Sequence, residues 1–401
     1  TGEVITEHTG NPLACLDNAA AMIGFGGLTE DEKAYERATG RTVGKGVATL
    51  HKAPAMPSFT GTAAVVRMNS DGTVVLNFSL TEIGQGSVTA MAQVAAERLR
   101  FPLDKIKVAV EKDTDHDPYD WQTVASKGTI LSGNAIGLAC DDLLAKAYAD
   151  AAQVLRAGVA DLDHDGDKVF VRHHPSESVT FAELAIGYAY PNGNAIGGPL
   201  VGVGRYVAQG LSNLDKETGQ GNPALDWTYG AHGVVVGVDT ESGEFEVLRV
   251  SSVYDVGKAL NPGLVRGQCI GGMMQGLGTA LCEGYIFDEQ GRLLNPSFTD
   301  NKIPTAKDLP GVVEAAVVET AQVDGPYGAR GVGEHPMISV APAIGNAIAD
   351  ATAVELLHMP IRAENVWRGL HDAEPIDNWI TKSPVGHCRS VRLIGTPRLP
   401  H

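Results

Sequence analysis

Glu334 closes a glycine-rich element, Gly328-Ala-Arg-Gly-Val-Gly-Glu334, and is the only acid in it. Backbone this rich in glycine can approach a ligand closely. For a lone Glu the plainer reading is a cap on the following helix. Two further elements share the pattern, Glu82-Ile-Gly-Gln-Gly-Ser87 and Met274-Gln-Gly-Leu-Gly278. They present Gly84, Gln85 and Gly86 in one case and Gln275 in the other. A glutamine amide offers donor and acceptor together, as the edge of a heteroaromatic ring requires. N–H groups opening a helix can meet an anion. A fourth element, Thr123-Val-Ala-Ser-Lys-Gly-Thr129, just precedes a helix expected from near Gly133. Its Ser126, Lys127, Gly128 and Thr129 gather hydroxyls, amides and an ammonium group suited to a phosphate, with an ordinary capping loop as the alternative.

These elements need a scaffold, and the apolar pattern supplies one. Two β-branched runs, Ala63 to Met68 and Thr73 to Phe78, flank Asn69-Ser-Asp-Gly72 and read as a hairpin. Ser87 to Leu99 has helical spacing, Ile106 to Val110 returns to strand, and Gly133 to Leu155 is an Ala/Leu-rich helix. Residues 191–222, rich in Gly, Pro and Asn, read as a long loop. A second hairpin follows, His232 to Asp239 with Glu244 to Tyr254. After it come a helix near Leu264 to Leu281, a strand near Val312 to Val318 and a helix from about Pro342 to Leu357. Each half thus places a hairpin before a glycine-glutamine element and a helix. The fold expected is α+β, two lobes with mixed sheets and packed helices facing one ligand. Residues 1–56 read as a lead-in helix and loop, 57–210 as the first lobe, 211–371 as the second lobe with Glu334, and 372–401 as a C-terminal arm.

Composition narrows the partners. The chain has 401 residues, 43% hydrophobic, a net charge of -17 and 48 glycines, well above an average share of about 7%. That charge, with no Lys/Arg cluster, argues against nucleic acid. The longest apolar stretches, such as Ile270 to Cys282, fall short of the ~20 residues that span a bilayer. Cys15, Cys140, Cys269, Cys282 and Cys388 are scattered, with no CxxC spacing, so reduced thiols in a cytoplasmic protein are expected. No charged and apolar leader follows Thr1. Asp161-Leu-Asp-His-Asp-Gly-Asp-Lys168 imitates a calcium loop, but the position that needs a bidentate Glu is Arg172, so a solvated hairpin turn is expected. No GxGxxG turn follows a strand, which leaves a nucleotide or flavin enzyme unsupported.

The motifs, in order from about Gly44 to Leu370, resemble the molybdenum hydroxylases of the xanthine dehydrogenase/aldehyde oxidoreductase type. The stretches that carry the likeness are Glu82-Ile-Gly-Gln-Gly-Ser87 with Gln93-Val-Ala-Ala-Glu97, and Asp113-Thr114 with Ala125-Ser126 and Gly133. Asp255-Val-Gly with Asn261-Pro262 and Gly267-Gln268, Gln275-Gly-Leu-Gly278 and Ile303-Pro-Thr305 follow. The last are Gly328-Ala-Arg-Gly-Val-Gly-Glu334, Pro342-Ala-Ile and Asn346-Ala-Ile348. The match is to the C-terminal half of that family's molybdopterin-binding subunit.

What the resemblance implies is specific. Gln85 and Gln275 look like the glutamines that bond the pterin. Ser126 to Thr129 look like part of a dinucleotide or phosphate cradle, and Gly331, Val332 and Gly333 line the same cofactor. Glu334 looks like the base that accepts a proton from the water supplying the oxygen. Molybdenum would be held by the pterin dithiolene, in the cytosine dinucleotide form, with no protein ligand. The implied reaction is hydroxylation of an aromatic N-heterocycle such as nicotinate or a purine. Aldehyde oxidation is the alternative within the family, and a non-catalytic structural subunit the alternative outside it. The loop from His51 to Phe59, with Met56, falls where the family contacts the substrate ring. Phe25-Gly-Gly27 imitates a segment of the family's first half but lies ahead of the matching region. The missing half and the absent cluster and flavin motifs imply partners, as in the split nicotinate dehydrogenase: a second molybdopterin subunit, an iron-sulfur subunit with 2Fe-2S clusters, and a flavin subunit with FAD.

Overall fold

Asn11 caps α1 (Pro12–Met22) by accepting from the Ala14 N–H, with proline at the first helical position. Thr29 and Glu32 form a capping box on α2 (Glu30–Thr39), which ends at left-handed Gly40. The computed structural model describes residues 5–54 and 59–373. Between α1 and α2 the Gly24 and Gly27 carbonyls accept from buried Lys45, so Phe25-Gly-Gly27 is a structural turn.

Residues 42–52, expected within the lead-in, instead form a strand, β1 (Thr42–Lys52). The first lobe then contains β2 (Gly61–Met68), β3 (Val74–Phe78), α3 (Ser87–Leu99), β4 (Ile106–Val108) and the long α4 (Gly128–Leu155). Beyond it come β5 (Leu162–His164), β6 (Lys168–Val171), β7 (His174–Thr180), α5 (Phe181–Leu184), β8 (Tyr188–Ala189), β9 (Ala195–Ile196) and β10 (Val201–Val207). The acidic run at 161–168 contains β5 itself, and only residues 165–167 turn the chain into the antiparallel β6. The second lobe contains β11 (Thr228–Val238), β12 (Phe245–Asp255), α6 (Pro262–Leu281), β13 (Val312–Val318), α7 (Val340–Thr352) and α8 (Ala363–Leu370).

The two principal sheets share one plan. The first runs β10-β2-β3-β4 and the second β1-β11-β12-β13. In each, an outer strand pairs antiparallel with a hairpin, and a strand reached through a helix pairs parallel with the hairpin's second strand. The helix rows α4 on β10 and α7 on β1 complete the likeness. Each lobe buries its own apolar core, Val66, Leu76, Phe78 and Ile136 in the first and Val234, Val250, Met273 and Ile344 in the second. Among the described residues no helix is long and apolar enough to cross a membrane.

Both outer strands carry Gly-x-Gly where the helix presses down. A Cβ on Gly202 or Gly204 would sit 2.0 or 1.9 Å from the carbonyls of Ala139 and Ala135 in α4. On Gly44 or Gly46 it would sit 2.1 or 2.2 Å from those of Ala347 and Ala343 in α7. Helix main chain therefore rests on strand main chain, and no side chain fits between. Gly204→Ala is expected to cost about 1–3 kcal/mol, whereas Gly137→Ala on α4, where no atom lies within 4 Å, should stabilise by about 0.5–1 kcal/mol. Urea denaturation of the two variants reads both signs.

Candidate active site at the seam between the lobes

Glu334 stands where two loops meet. The first-lobe loop before α4 carries Ala125 and Ser126, both at φ 58, a left-handed pair that costs energy and clusters at functional sites. The second-lobe loop presses against it so closely that a Cβ on Gly331 would lie 1.5 Å from the Ser126 carbonyl. Across this contact the Ala125 N–H donates to Glu334 Oε1 at 2.8 Å, and the Glu334 N–H donates to Ser126 Oγ at 3.1 Å. Lys52, the last residue of β1, donates from Nζ to Ser126 Oγ at 3.3 Å and pairs with the other Glu334 oxygen. The Glu334 side chain is 51% exposed and that of Lys52 17%.

Glycines behind Glu334 have a packing reason. A Cβ on Gly272 would lie 2.6 Å from Pro336, and one on Gly276 2.6 Å from the Met337 carbonyl. α6 is thereby held against the turn His335–Met337 that follows the carboxylate. Around Glu334 opens a cavity lined by Lys52, Gly276, Thr279, Met337, Ile338, Ala341, Pro342 and Met359. One carboxylate and one ammonium group stand there among mostly apolar walls.

A second cleft joins the lobes nearby. Gln85, Gly86, Ser87 and Thr129 line it from the first lobe, and Lys258, Asn261, Gln268, Arg330 and Val332 from the second. Asn261 caps α6 through its Oδ1 and donates across the seam to Gln93 Oε1 at 3.1 Å. The loop carrying Gly331 is anchored by Arg330, which donates to the carbonyls of Trp227, Thr320 and His8. Beside it, buried Asp255 accepts from the N–H groups of Asn11, Gly257 and Thr320.

Several residues expected to face a cofactor are arranged differently. Lys127 turns inward: its side chain is fully buried, 3.7 Å from Asp120 and over the Trp121 ring, so it is not free to meet a phosphate. Burial pulls the Lys127 ammonium below its ordinary range, and burial pushes Asp120 above its own. The reason is helical: α4 starts at Gly128 rather than near Gly133, so Gly128 and Thr129 form its first turn and Lys127 its N-cap. Gln85 bonds its own loop, accepting from the Ile83 N–H at 2.6 Å and donating to the Thr81 carbonyl at 2.9 Å. The N–H groups of Gly84, Gly86 and Val88, expected to be free for an anion, are taken by the Glu82 carboxylate. These bonds hold Glu82 ionised below its ordinary range despite its partial burial. Gln275 is exposed on α6 beside the Glu334 cavity. Gln85 and Gln275 therefore do not line one cavity. Gly84 keeps open space around it, with no atom within 4 Å of a would-be Cβ, while a Cβ on Gly333 would lie 3.2 Å from Ser126 Oγ. Met56 and the arm from residue 374 lie outside the described residues.

Sequence reasoning missed Lys52, Asp226 and His335. Lys52 reaches the site only because β1 pairs with β11, setting it opposite Thr228. Asp226 is buried with Oδ2 unbonded, and burial pushes it up to about 6 against the opposing fields of Arg330 and Lys52. His335 is fully buried with neither ring nitrogen bonded, edge-on to Tyr254. Tyr254 in turn bonds His232 at 2.6 Å, and His232 bonds Ser339 at 2.7 Å. Cys15, Cys140 and Cys269 are buried, and burial pushes each thiol up to about 12, which marks them as packing residues.

The chain belongs to the molybdopterin cofactor-binding domain family, whose model matches residues 18–310. It is 30% identical over 328 residues to a probable hypoxanthine oxidase of Escherichia coli, covering 82% of this chain and 32% of that protein. It is 29% identical over 372 residues to the gamma subunit of the 6-hydroxypseudooxynicotine dehydrogenase complex of Paenarthrobacter nicotinovorans, covering 91% and 45%. Among solved structures, it is similar to Cu,Mo-CO dehydrogenase, with a TM-score of 0.75 and 28% identity over 90% of this chain and 46% of that one. It is also similar to quinoline 2-oxidoreductase of Pseudomonas putida, with a TM-score of 0.76 and 26% identity over 91% and 46%. The chain thus spans less than half the length of each of these proteins.

Burial pulls the His232 and His335 imidazoles down to about 3. Both stay neutral in the folded chain while the unfolded chain takes up protons near the ordinary pKa of about 6.5. Their folded values are depressed, so stability is full above about 6.5 and is lost as pH falls toward 3. Replacing His335, which forfeits no hydrogen bond, with Phe should flatten that loss. Urea midpoints of both proteins at pH 7 and pH 5 check it, and an equal drop in the two would refute it.

Proposed function

We propose that this chain is the catalytic half of a molybdenum hydroxylase that introduces oxygen from water into an electron-poor aromatic N-heterocycle. The observation that carries the reading is Glu334. It is half exposed, with both oxygens bonded, in a cavity whose remaining walls include Met337, Ile338, Ala341, Pro342 and Met359. Such walls suit the flat face of an aromatic ring.

The residues at the seam fit a molybdopterin. The interlobe cleft presents the Thr129 hydroxyl and the Gln268 amide, groups of both bonding senses, and Gly84 leaves room for close approach; Gln85, Ser87 and Asn261 line the same cleft with their polar atoms engaged within the protein. In this assignment the metal is carried by the pterin rather than by side chains of this chain. When bound, that group supplies the two-electron oxidation. In this assignment Gly84, Gln85, Gly86, Gly128, Thr129, Gln268 and Val332 line the cofactor, and the first turn of α4 offers its N–H groups to a phosphate. Glu334 takes the proton from the attacking water, with its carboxylate held by the Ala125 N–H and Lys52. Cytosine dinucleotide as the cofactor form and 2Fe-2S and FAD subunits as electron acceptors complete the proposed complex, together with a second molybdopterin subunit and a cytoplasmic location. The likeness to a 6-hydroxypseudooxynicotine dehydrogenase subunit and to quinoline 2-oxidoreductase supports an N-heterocycle.

In the assembled enzyme at equal molybdenum content, Glu334→Gln should keep the fold and cofactor and lose about 10²–10⁴-fold in turnover on a nicotinate- or purine-like substrate. Turnover within tenfold of wild type would make Glu334 a structural residue. Faster turnover of aldehydes than of heterocycles by the wild-type enzyme would shift the substrate assignment. A separate measurement addresses the assembly: the chain expressed alone should hold little molybdenum, because part of the cradle belongs to the second subunit. Stoichiometric metal in the isolated chain would refute the split arrangement.

A further inference from the structure

We propose that Lys52 is a positioning residue that holds the Glu334 carboxylate in its working orientation, an inference that rests on Glu334 being the base. The geometry is a fork. Glu334 Oε1 accepts from the Ala125 N–H at 2.8 Å, and Oε2 is paired with Lys52 Nζ. Lys52 Nζ also donates to Ser126 Oγ at 3.3 Å, and that same Oγ receives the Glu334 N–H at 3.1 Å. Side chain and main chain of Glu334 are thus tied to one first-lobe loop, and Lys52 closes the ring of contacts.

The ammonium group has few ways to move. Its backbone is fixed at the end of β1, where the Lys52 carbonyl accepts from Thr228 Oγ1 at 3.2 Å and the strand runs in register with β11 over residues 42–52. The side chain is 17% exposed while its partner is 51% exposed, so the cation approaches from the protein side and leaves the outer face of the carboxylate open to a ligand. Two carboxylates bear on it: Glu334 from the second-lobe loop, and buried Asp226 just before β11, whose carboxyl lies within the field of Lys52. His335, the next residue after Glu334, also lies in that field and stays neutral. A rigid, partly desolvated ion pair of this kind fixes direction as well as charge.

Two measurements test the proposal. A water-soluble carbodiimide applied to the native chain activates an accessible carboxylate, which an adjacent lysine attacks; an amide forms between Lys52 Nζ and the Glu334 carboxyl, and the carbodiimide leaves as its urea with the lost oxygen. Mass spectrometry should find the peptide containing Lys52 joined to that containing Glu334, in wild type and not in Lys52→Arg. Absence of the link in the native wild-type chain overturns the pairing. In the assembled enzyme at equal molybdenum content, Lys52→Met should lower kcat by roughly 10–100-fold with little change in KM. Lys52→Arg should restore most of the loss, and Lys52→Met added to Glu334→Gln should cost nothing more. Wild-type kcat in Lys52→Met, or a loss that adds fully to that of Glu334→Gln, overturns the positioning role alone. High turnover in Glu334→Gln overturns the assignment of the base itself.

Discussion

The contact on which the site depends is main chain against main chain: the Gly331 Cα lies where any side chain would collide with the Ser126 carbonyl. Because the approach is so close, the Glu334 carboxylate reaches the Ala125 N–H and its own N–H reaches Ser126 Oγ. Neither loop provides this geometry alone. The first holds two successive left-handed residues, Ala125 and Ser126, that no glycine relieves. Strain of that kind, of order 1–3 kcal/mol per residue, persists only where surrounding contacts over-determine the backbone. Those contacts come from Arg330 and Asp255 below the second loop and from the buried Lys127–Asp120 pair at the start of α4.

The likeness of the two sheets gives this seam its shape. Each lobe ends its plan with a helix laid on a Gly-x-Gly strand, α4 on β10 and α7 on β1, with the glycines meeting alanines four residues apart. Close helix–sheet approach makes each lobe a stiff plate, and the loops that precede α4 and α7 are the two that carry Ser126 and Glu334. Equivalent positions in two similar units therefore face each other across one cleft. This is why a glycine-rich loop and a helix start recur on both sides of it.

The same glycines explain what could be read in the sequence and what could not. The hairpin at 61–78, α3 and β13 carry strong apolar periodicity and stand where that periodicity places them. β1 and β10 do not, because glycine in a strand removes the alternation and resembles loop composition, whereas here it answers to a helix overhead that no local window contains. The site divides likewise. Glycine-rich elements and a lone Glu are legible as residue types. The burial of Lys127 follows from α4 beginning one turn earlier than its apolar pattern, and the occupation of the Glu82 loop follows from a carboxylate five residues upstream of the Ser87 hydroxyl it accepts. Lys52 has no local signature at all; it reaches Glu334 through strand pairing across 282 residues of chain.

Beneath Glu334 the second lobe buries an unusual amount of polarity: His335 without a bonded nitrogen, Asp226 with a free oxygen, and the chain Tyr254, His232 and Ser339. Each unsatisfied buried group costs about 1–3 kcal/mol, and apolar residues would fill the same space more stably. Above Glu334 the imbalance reverses, since Met337, Ile338 and Met359 are 36%, 46% and 54% exposed around the carboxylate. A polar interior under a carboxylate and an apolar rim above it is the inverse of an ordinary surface. On the function proposed above, a ring seated against that rim would exclude water from the carboxylate, and the bonds to Ala125 and Lys52 would strengthen as the water leaves.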